Sequence, residues 1–204
     1  MKLSDYIWIK DNALTPEFCA HVIEKFNADE RTIPGKTGSG YVPEVKQSTD
    51  LLISAYEDWG EEDEVFFKSL NTSFDEYVNQ LPGDKIYHEF KRPVEDSGYQ
   101  IQRTEPGGFY VWHHDGMPRY REKENKLDVR IATFIWYLND VVEDGYTEFI
   151  DGTKVQPETG KLIVFPATWQ YEHRGYPPKS EVKYLVTGWM YSEYTDCQNA
   201  VGED

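Results

Sequence analysis

Seven short β-prone segments follow one another in the second half of the chain, at residues 99–103, 109–113, 130–138, 146–150, 161–165, 170–174 and 183–190, separated by turns. Many short strands at close spacing predict a sandwich or jelly roll. The dipeptide Asp151-Gly152, between Phe149-Ile150 and Thr153-Lys154-Val155, marks a tight hairpin within this stretch. Six tryptophans and fifteen tyrosines suit a β-rich core and a cleft lined by rings. With 204 residues the chain is long enough for one domain with a sizeable core and short for two. It is read as a single domain over 1–204, mainly β with flanking helices: helical support over about 1–98 and a jelly-roll core over about 99–190.

The support is legible from capping and periodicity. Thr15 can cap a helix with Pro16 in its first position and Glu17 in its first turn, and Phe18, Val22, Ile23 and Phe26 form an apolar stripe. A helix over 16–28 is predicted. A second stripe, Phe66, Leu70, Phe74, Tyr77, Val78 and Leu81, ends at Pro82-Gly83 and predicts a helix over 62–80. Both should pack outside the sheet. Residues 30–48 are polar and broken by Pro34-Gly35 and Gly38-x-Gly40, which predicts a surface loop over the cleft, followed by a short strand near 49–54. The acidic run from Glu57 to Glu64 reads as a solvated surface ahead of the second helix.

Charge excludes some functions. A formal net charge of -16, from 37 acidic against 21 basic residues, opposes any broad grip on nucleic acid or on an anionic membrane surface. It is compatible with a basic peptide or protein as partner. The two cysteines, Cys19 and Cys197, are too few for a disulfide framework and imply a reduced compartment. No signal-peptide pattern opens the chain, and no run approaches the ~20 apolar residues of a membrane-spanning helix, so the expectation is a cytoplasmic protein.

The chemistry concentrates in Tyr110-Val-Trp-His113-His114-Asp115, with His173 and Lys183 further on. In an extended strand, residues two apart share a face, so His113 and Asp115 can aim an imidazole and a carboxylate at one point while His114 faces away. His173 would complete a set of two histidines and one carboxylate, which leaves one face of a metal open and fits either non-haem Fe(II) or catalytic zinc. Lys183 tilts the choice towards iron. An enclosed lysine beside Val182, Tyr184, Leu185 and Val186 is costly without an anion, and a dicarboxylate chelating iron at one end needs a cation at the other.

These blocks resemble the 2-oxoglutarate- and Fe(II)-dependent dioxygenases, and among them the prolyl 4-hydroxylase-like group. The resemblance is carried by Tyr110-x-x-His113-x-Asp115, Arg130-x-x-Thr133-x-x-x-Tyr137-Leu138-Asn139-Asp140, Asp144-Gly145-x-Thr147-x-Phe149 and Val155-x-Pro157-x-x-Gly160-Lys161, then by Phe165, His173, Lys183 and Trp189. It covers about 99–190 closely, and Leu14-Thr-Pro-Glu-Phe-Cys19 looks like the opening helix of the group.

The resemblance implies a distorted double-stranded β-helix, cupin-like, in which His113, Asp115 and His173 hold Fe(II) and Lys183 holds the far carboxylate of 2-oxoglutarate. It implies hydroxylation of a C–H bond with formation of succinate and CO2, O2 as oxidant, ascorbate as reductant and a proline-containing peptide or protein as acceptor. Other amino-acid side chains or small molecules are the alternative acceptors, and a non-catalytic jelly-roll binding module is the alternative class. In many relatives a tyrosine stands where this chain has Thr104, whose hydroxyl has a shorter arm; that shifts weight to Tyr137 as a co-substrate residue, with Tyr110 beside it.

Other candidates have plainer readings. His114 becomes a ligand only if the strand slips by one residue. His21 and His88 have no metal-like spacing to a second ligand. Cys19 reads as a small buried hydrophobe, Arg130 and Thr133 as structural residues, and Trp112 and Trp189 equally well as cleft lining or core.

Overall fold

The computed structural model describes residues 2–81, 94–121 and 126–194. His88, Cys197 and the Pro82-Gly83 helix stop lie outside the described residues. Among the described residues all strand pairing is antiparallel and falls into two sheets.

The larger sheet runs β1 (Trp8–Lys10), β11 (Leu162–Pro166), β8 (Lys126–Tyr137), β13 (Lys183–Tyr194), β5 (Gln100–Thr104), β3 (Thr49–Leu52) and β2 (Ile33–Pro34). On its flanks β4 (Val94–Asp96) pairs with β13 and β7 (Pro118–Arg121) with β8. The smaller sheet is β10 (Lys154–Val155), β9 (Thr147–Phe149), β12 (His173–Gly175) and β6 (Tyr110–His113). This is the double-stranded β-helix expected from the sequence, and the Asp151-Gly152 hairpin joins β9 to β10.

Strand alternation divides the interior in two. On β8, Phe134 and Trp136 face one way, with Leu162 and Val164 of β11, Ile101 of β5 and Val186 of β13, and they form the larger core cluster. Helices α1 (Pro16–Ala28) and α2 (Gly60–Gln80) cover that face with Cys19, Val22, Phe26, Phe66, Leu70 and Tyr77. The opposite face carries Ile135, Tyr137, Ile163, Phe165 and Leu185, which meet Phe149, Val155 and Tyr171 between the sheets. The site occupies this inner face.

Helix α1 keeps its predicted bounds, with Thr15 Oγ1 accepting from the Phe18 N–H at 3.2 Å. Helix α2 starts earlier than expected, at Gly60, so the acidic run enters its first turn. Glu62 is consequently buried, not solvated: it lies 2.6 Å from His21 Nε2 and accepts from Lys25 Nζ at 2.7 Å. The strand expected near 49–54 stops at Leu52 and turns into a 3-10 segment at Ile53–Ala55. Likewise the segment at 170–174 divides into a 3-10 turn, Trp169–Tyr171, and β12. Among the described residues no helix is long and apolar enough to cross a membrane.

Candidate active site

His113 closes β6 and His173 opens β12, and the two are paired in register across the smaller sheet. Their ring centroids lie 4.3 Å apart. Each Nδ1 approaches a backbone carbonyl of its own chain, Val111 at 2.8 Å and Tyr171 at 3.0 Å. A carbonyl only accepts, so each Nδ1 carries the hydrogen and each Nε2 presents its lone pair.

Both lone pairs point at Asp115. His113 Nε2 is 3.8 Å from its Oδ1 and His173 Nε2 is 3.6 Å from its Oδ2. One donor atom from each of the three residues lies within 4.8 Å of the others, a separation that suits a single metal ion. The strand argument accounts for His113 but not for Asp115, because β6 ends at His113. A turn sets Asp115 instead: its carbonyl accepts from the Met117 N–H at 2.7 Å and from Arg130 Nη1 at 3.3 Å. Thr133 Oγ1 donates to carboxylate Oδ2 at 2.8 Å. His114 is exposed, as alternation predicts, and stands outside the cluster.

Burial works to raise the Asp115 carboxyl, but the two imidazoles, the Thr133 hydroxyl and Arg130 outweigh it and hold the group below its ordinary range. Burial, then the neighbouring His173, pushes His113 down to about 3. His113 is therefore a neutral imidazole beside an ionised carboxylate, the protonation states in which these groups ligate a metal. Tyr110 stacks on His113 at 3.6 Å between ring centroids and fixes the plane of that ring. Burial first, then the Asp115 charge, pushes the Tyr110 hydroxyl up to about 12, so it stays protonated.

The cluster opens into a cleft of about 840 Å³ that also receives Thr104, Tyr110, Trp112, Thr147, Lys183 and Trp189. Lys183 is not an edge lysine. It lies on β13 between β5 and β8, directly opposite Thr104, and is 3 % exposed. Its Nζ donates to the Gly145 carbonyl at 2.9 Å and forms no ion pair among the described residues. Burial alone lowers it to about 8. Asp144 and Gly145 both take the left-handed conformation, at φ 61° and 69°, which turns that carbonyl towards Lys183. Asn139 clamps the entry to β13, accepting from the Tyr184 N–H at 2.8 Å and donating to the Val182 carbonyl at 2.9 Å.

Tyr137 departs from the expectation. Its hydroxyl is buried in the inner core and donates to Thr147 Oγ1 at 2.7 Å, and Thr147, not Tyr137, lines the cleft. Tyr137 thus bears on the cleft through Thr147. The polar loop ahead of β3 does reach the cleft, which it lines with Lys36, Thr37, Lys46 and Ser48, and it zips onto the smaller sheet through Gln47 N–H to the Phe109 carbonyl at 2.8 Å.

Residues 99–191 match the sequence profile of the 2OG-Fe(II) oxygenase superfamily. The match falls on the jelly-roll core. The chain is 28% identical over 147 residues to probable prolyl 4-hydroxylase 8 of Arabidopsis thaliana, an alignment covering 70% of this chain and 44% of that protein. It thus spans less than half the length of that curated relative.

Two solved structures share the architecture. The viral collagen prolyl hydroxylase of Paramecium bursaria Chlorella virus-1, in its 2OG complex, superposes with a TM-score of 0.62 at 20% identity, covering 92% of this chain and 96% of that one. A prolyl hydroxylase of Trichoplax adhaerens, in complex with a hypoxia inducible factor peptide fragment, gives 0.70 at 16% identity, covering 93% and 84%. At such identities the likeness is one of fold, a double-stranded β-helix.

Proposed function

We propose that the chain is a 2-oxoglutarate- and Fe(II)-dependent dioxygenase that hydroxylates a prolyl residue of a peptide or protein. The observation that carries this reading is one cleft holding both a buried two-histidine, one-carboxylate cluster and a buried ammonium that has no carboxylate partner among the described residues. The first half alone would serve zinc. Lys183 makes the difference, because a charge buried at that cost has a use when an anion joins it.

His113, Asp115 and His173 would hold the metal through two Nε2 atoms and a carboxylate oxygen. When bound, Fe(II) supplies oxidation of an unactivated C–H bond by O2, coupled to decarboxylation of 2-oxoglutarate to succinate and CO2. The chain's own residues orient and insulate. Lys183 would receive the far carboxylate, with Thr104 opposite as a short-armed second donor. Thr147 accepts the Tyr137 hydrogen, which leaves its own hydroxyl hydrogen for the co-substrate. Ile135 and Leu185 give the cleft an apolar wall against water.

The prolyl acceptor draws its support from the Arabidopsis relative and from the Trichoplax enzyme with its bound peptide fragment. Protein reconstituted with Fe(II) and 2-oxoglutarate should form succinate in an iron-dependent manner, and proline-containing peptides should gain the mass of one oxygen on proline. Oxygen found only on lysine, or only on a free metabolite, would displace the prolyl assignment.

A further inference from the structure

Strand β5 presents Gln100, Gln102 and Thr104 to the cleft, because residues two apart on a strand share a face. The outer two have evident occupations. Gln100 Nε2 donates to Asp50 Oδ2 at 3.0 Å, and Thr104 stands directly opposite Lys183. Gln102 is half-buried, and its carboxamide makes no hydrogen bond among the described residues. Neither cross-strand neighbour serves it. On β13 it faces Leu185, which is apolar, and on β3 it faces Asp50, whose carboxylate already accepts from Lys46, Ser48 and Gln100. Two amide hydrogens and a carbonyl oxygen therefore line the cleft with no partner there.

The diagonal neighbour of Gln102 across the β5–β13 pair is Lys183. Register sets Thr104 against Lys183 and Gln102 against Leu185, so Gln102 and Lys183 lie one diagonal step apart on the same face. Diagonal pairs stand roughly 7–8 Å apart at the backbone, a spacing that two long side chains can bridge with a small anion between them. Lys183 Nζ gives one hydrogen to the Gly145 carbonyl, and a Cβ at Gly175 would lie 3.7 Å from it, so the smaller sheet bounds the ammonium on that side. Further donors come to it from β5. Thr104 packs its methyl against Gly108, and its hydroxyl has only a short arm.

A carboxylate has about four lone-pair sites, and an N–H donated to a charged oxygen is among the stronger hydrogen bonds. Resting on the dioxygenase reading, we infer that Gln102 is a further co-substrate residue: its amide donates to the far carboxylate of 2-oxoglutarate, beside Lys183. The longer arm of Gln102 reaches where the Thr104 hydroxyl does not. It also makes the pocket selective, because a 2-oxo acid without the far carboxylate leaves the amide as unpaired as it is in the free chain.

The test is anaerobic titration of the Mn(II)-loaded full chain with 2-oxoglutarate and with 2-oxobutyrate, which keeps the chelating end and lacks the far carboxylate. Gln102→Leu, close in size and set against Leu185, should raise the Kd for 2-oxoglutarate roughly tenfold or more and leave that for 2-oxobutyrate unchanged. Gln102→Glu should weaken 2-oxoglutarate further, because two like charges then share one site. An unaltered Kd for 2-oxoglutarate in either variant overturns the assignment. So does a loss shared equally by the two 2-oxo acids, which would make Gln102 a structural residue. Both of those results leave the dioxygenase reading standing. An unmodified chain that binds no 2-oxoglutarate in the presence of metal overturns that reading, and this inference with it.

Discussion

Thr133 donates its hydroxyl hydrogen to Oδ2 of Asp115 at 2.8 Å from the inner face of β8, where both side chains are buried. The bond spends one lone pair of the carboxylate and fixes the rotamer that aims the rest at the histidines. Thr133→Val keeps shape and strand preference while removing the donor. Metal affinity should fall by roughly 10–100-fold, as for other residues that orient a ligand, with the far-UV spectrum unchanged. Titration with Fe(II) or Mn(II) under anaerobic conditions reads it; an unaltered dissociation constant would make Thr133 a packing residue.

Metal should stabilise the fold, because the three donors converge only in the folded chain. At a metal concentration of 100 Kd the gain is about 2.7 kcal/mol, visible as a raised thermal midpoint that a chelator reverses. Asp115→Ala should lose both the shift and coupled 2-oxoglutarate turnover. If metal still raises the midpoint of that variant to the same degree, Asp115 is not a ligand.

Lys183 gives a pH dependence whose sign is unusual. Burial lowers it to about 8 in the folded chain, below the ~10.4 of an unfolded lysine. Below pH 8 both states are protonated and the full cost of the buried charge is present; between about 8 and 10.4 the unfolded chain binds the extra proton, so this group makes stability rise with pH. Co-substrate binding runs the other way. A dicarboxylate needs the ammonium, so 2-oxoglutarate affinity of the metal-loaded chain should fall above pH 8 by up to about one decade per unit. Lys183→Arg, charged throughout, should flatten that slope, and Lys183→Met should weaken binding severely while leaving the metal-free protein as stable or more so. Calorimetry at pH 7 and 9 checks the first, and urea unfolding the last.

The sites most legible in the sequence are those where local rules act alone. Helix α1 follows from Thr15, Pro16 and an apolar stripe, and the inward aim of His113 from strand alternation. Asp115 lies past the strand end, held by a turn and by Thr133 and Arg130, which come to it across the sheet. Long-range pairing of this kind leaves no periodic mark. Strands β1 and β7 escaped notice for a related reason: Trp8–Lys10 and Pro118–Arg121 are short flanking strands whose polar or mixed texture carries no alternation. For Tyr137, sequence spacing does not reveal that its hydroxyl meets Thr147, which stands between it and the cleft.

Lys46 and Asp50 form the most deeply buried ion pair among the described residues, at 2.6 Å, on the wall formed by the loop ahead of β3. Asp50 also accepts from Ser48 Oγ at 2.7 Å and from Gln100 Nε2 at 3.0 Å. Lys46 in turn lies 5.5 Å from the centroid of the Tyr110 ring that stacks on His113. Removing only the lysine strands a carboxylate with two neutral donors, so Lys46→Met should destabilise by on the order of 3 kcal/mol. Changing both partners, Lys46→Met with Asp50→Leu, should recover much of the loss, because an apolar pair of similar size avoids the desolvation of two charges. Urea unfolding of the singles and the double gives the coupling. Strict additivity would mean that the loop is held by its backbone contacts to Phe109 and Val111, and that the ion pair contributes nothing to the position of Tyr110.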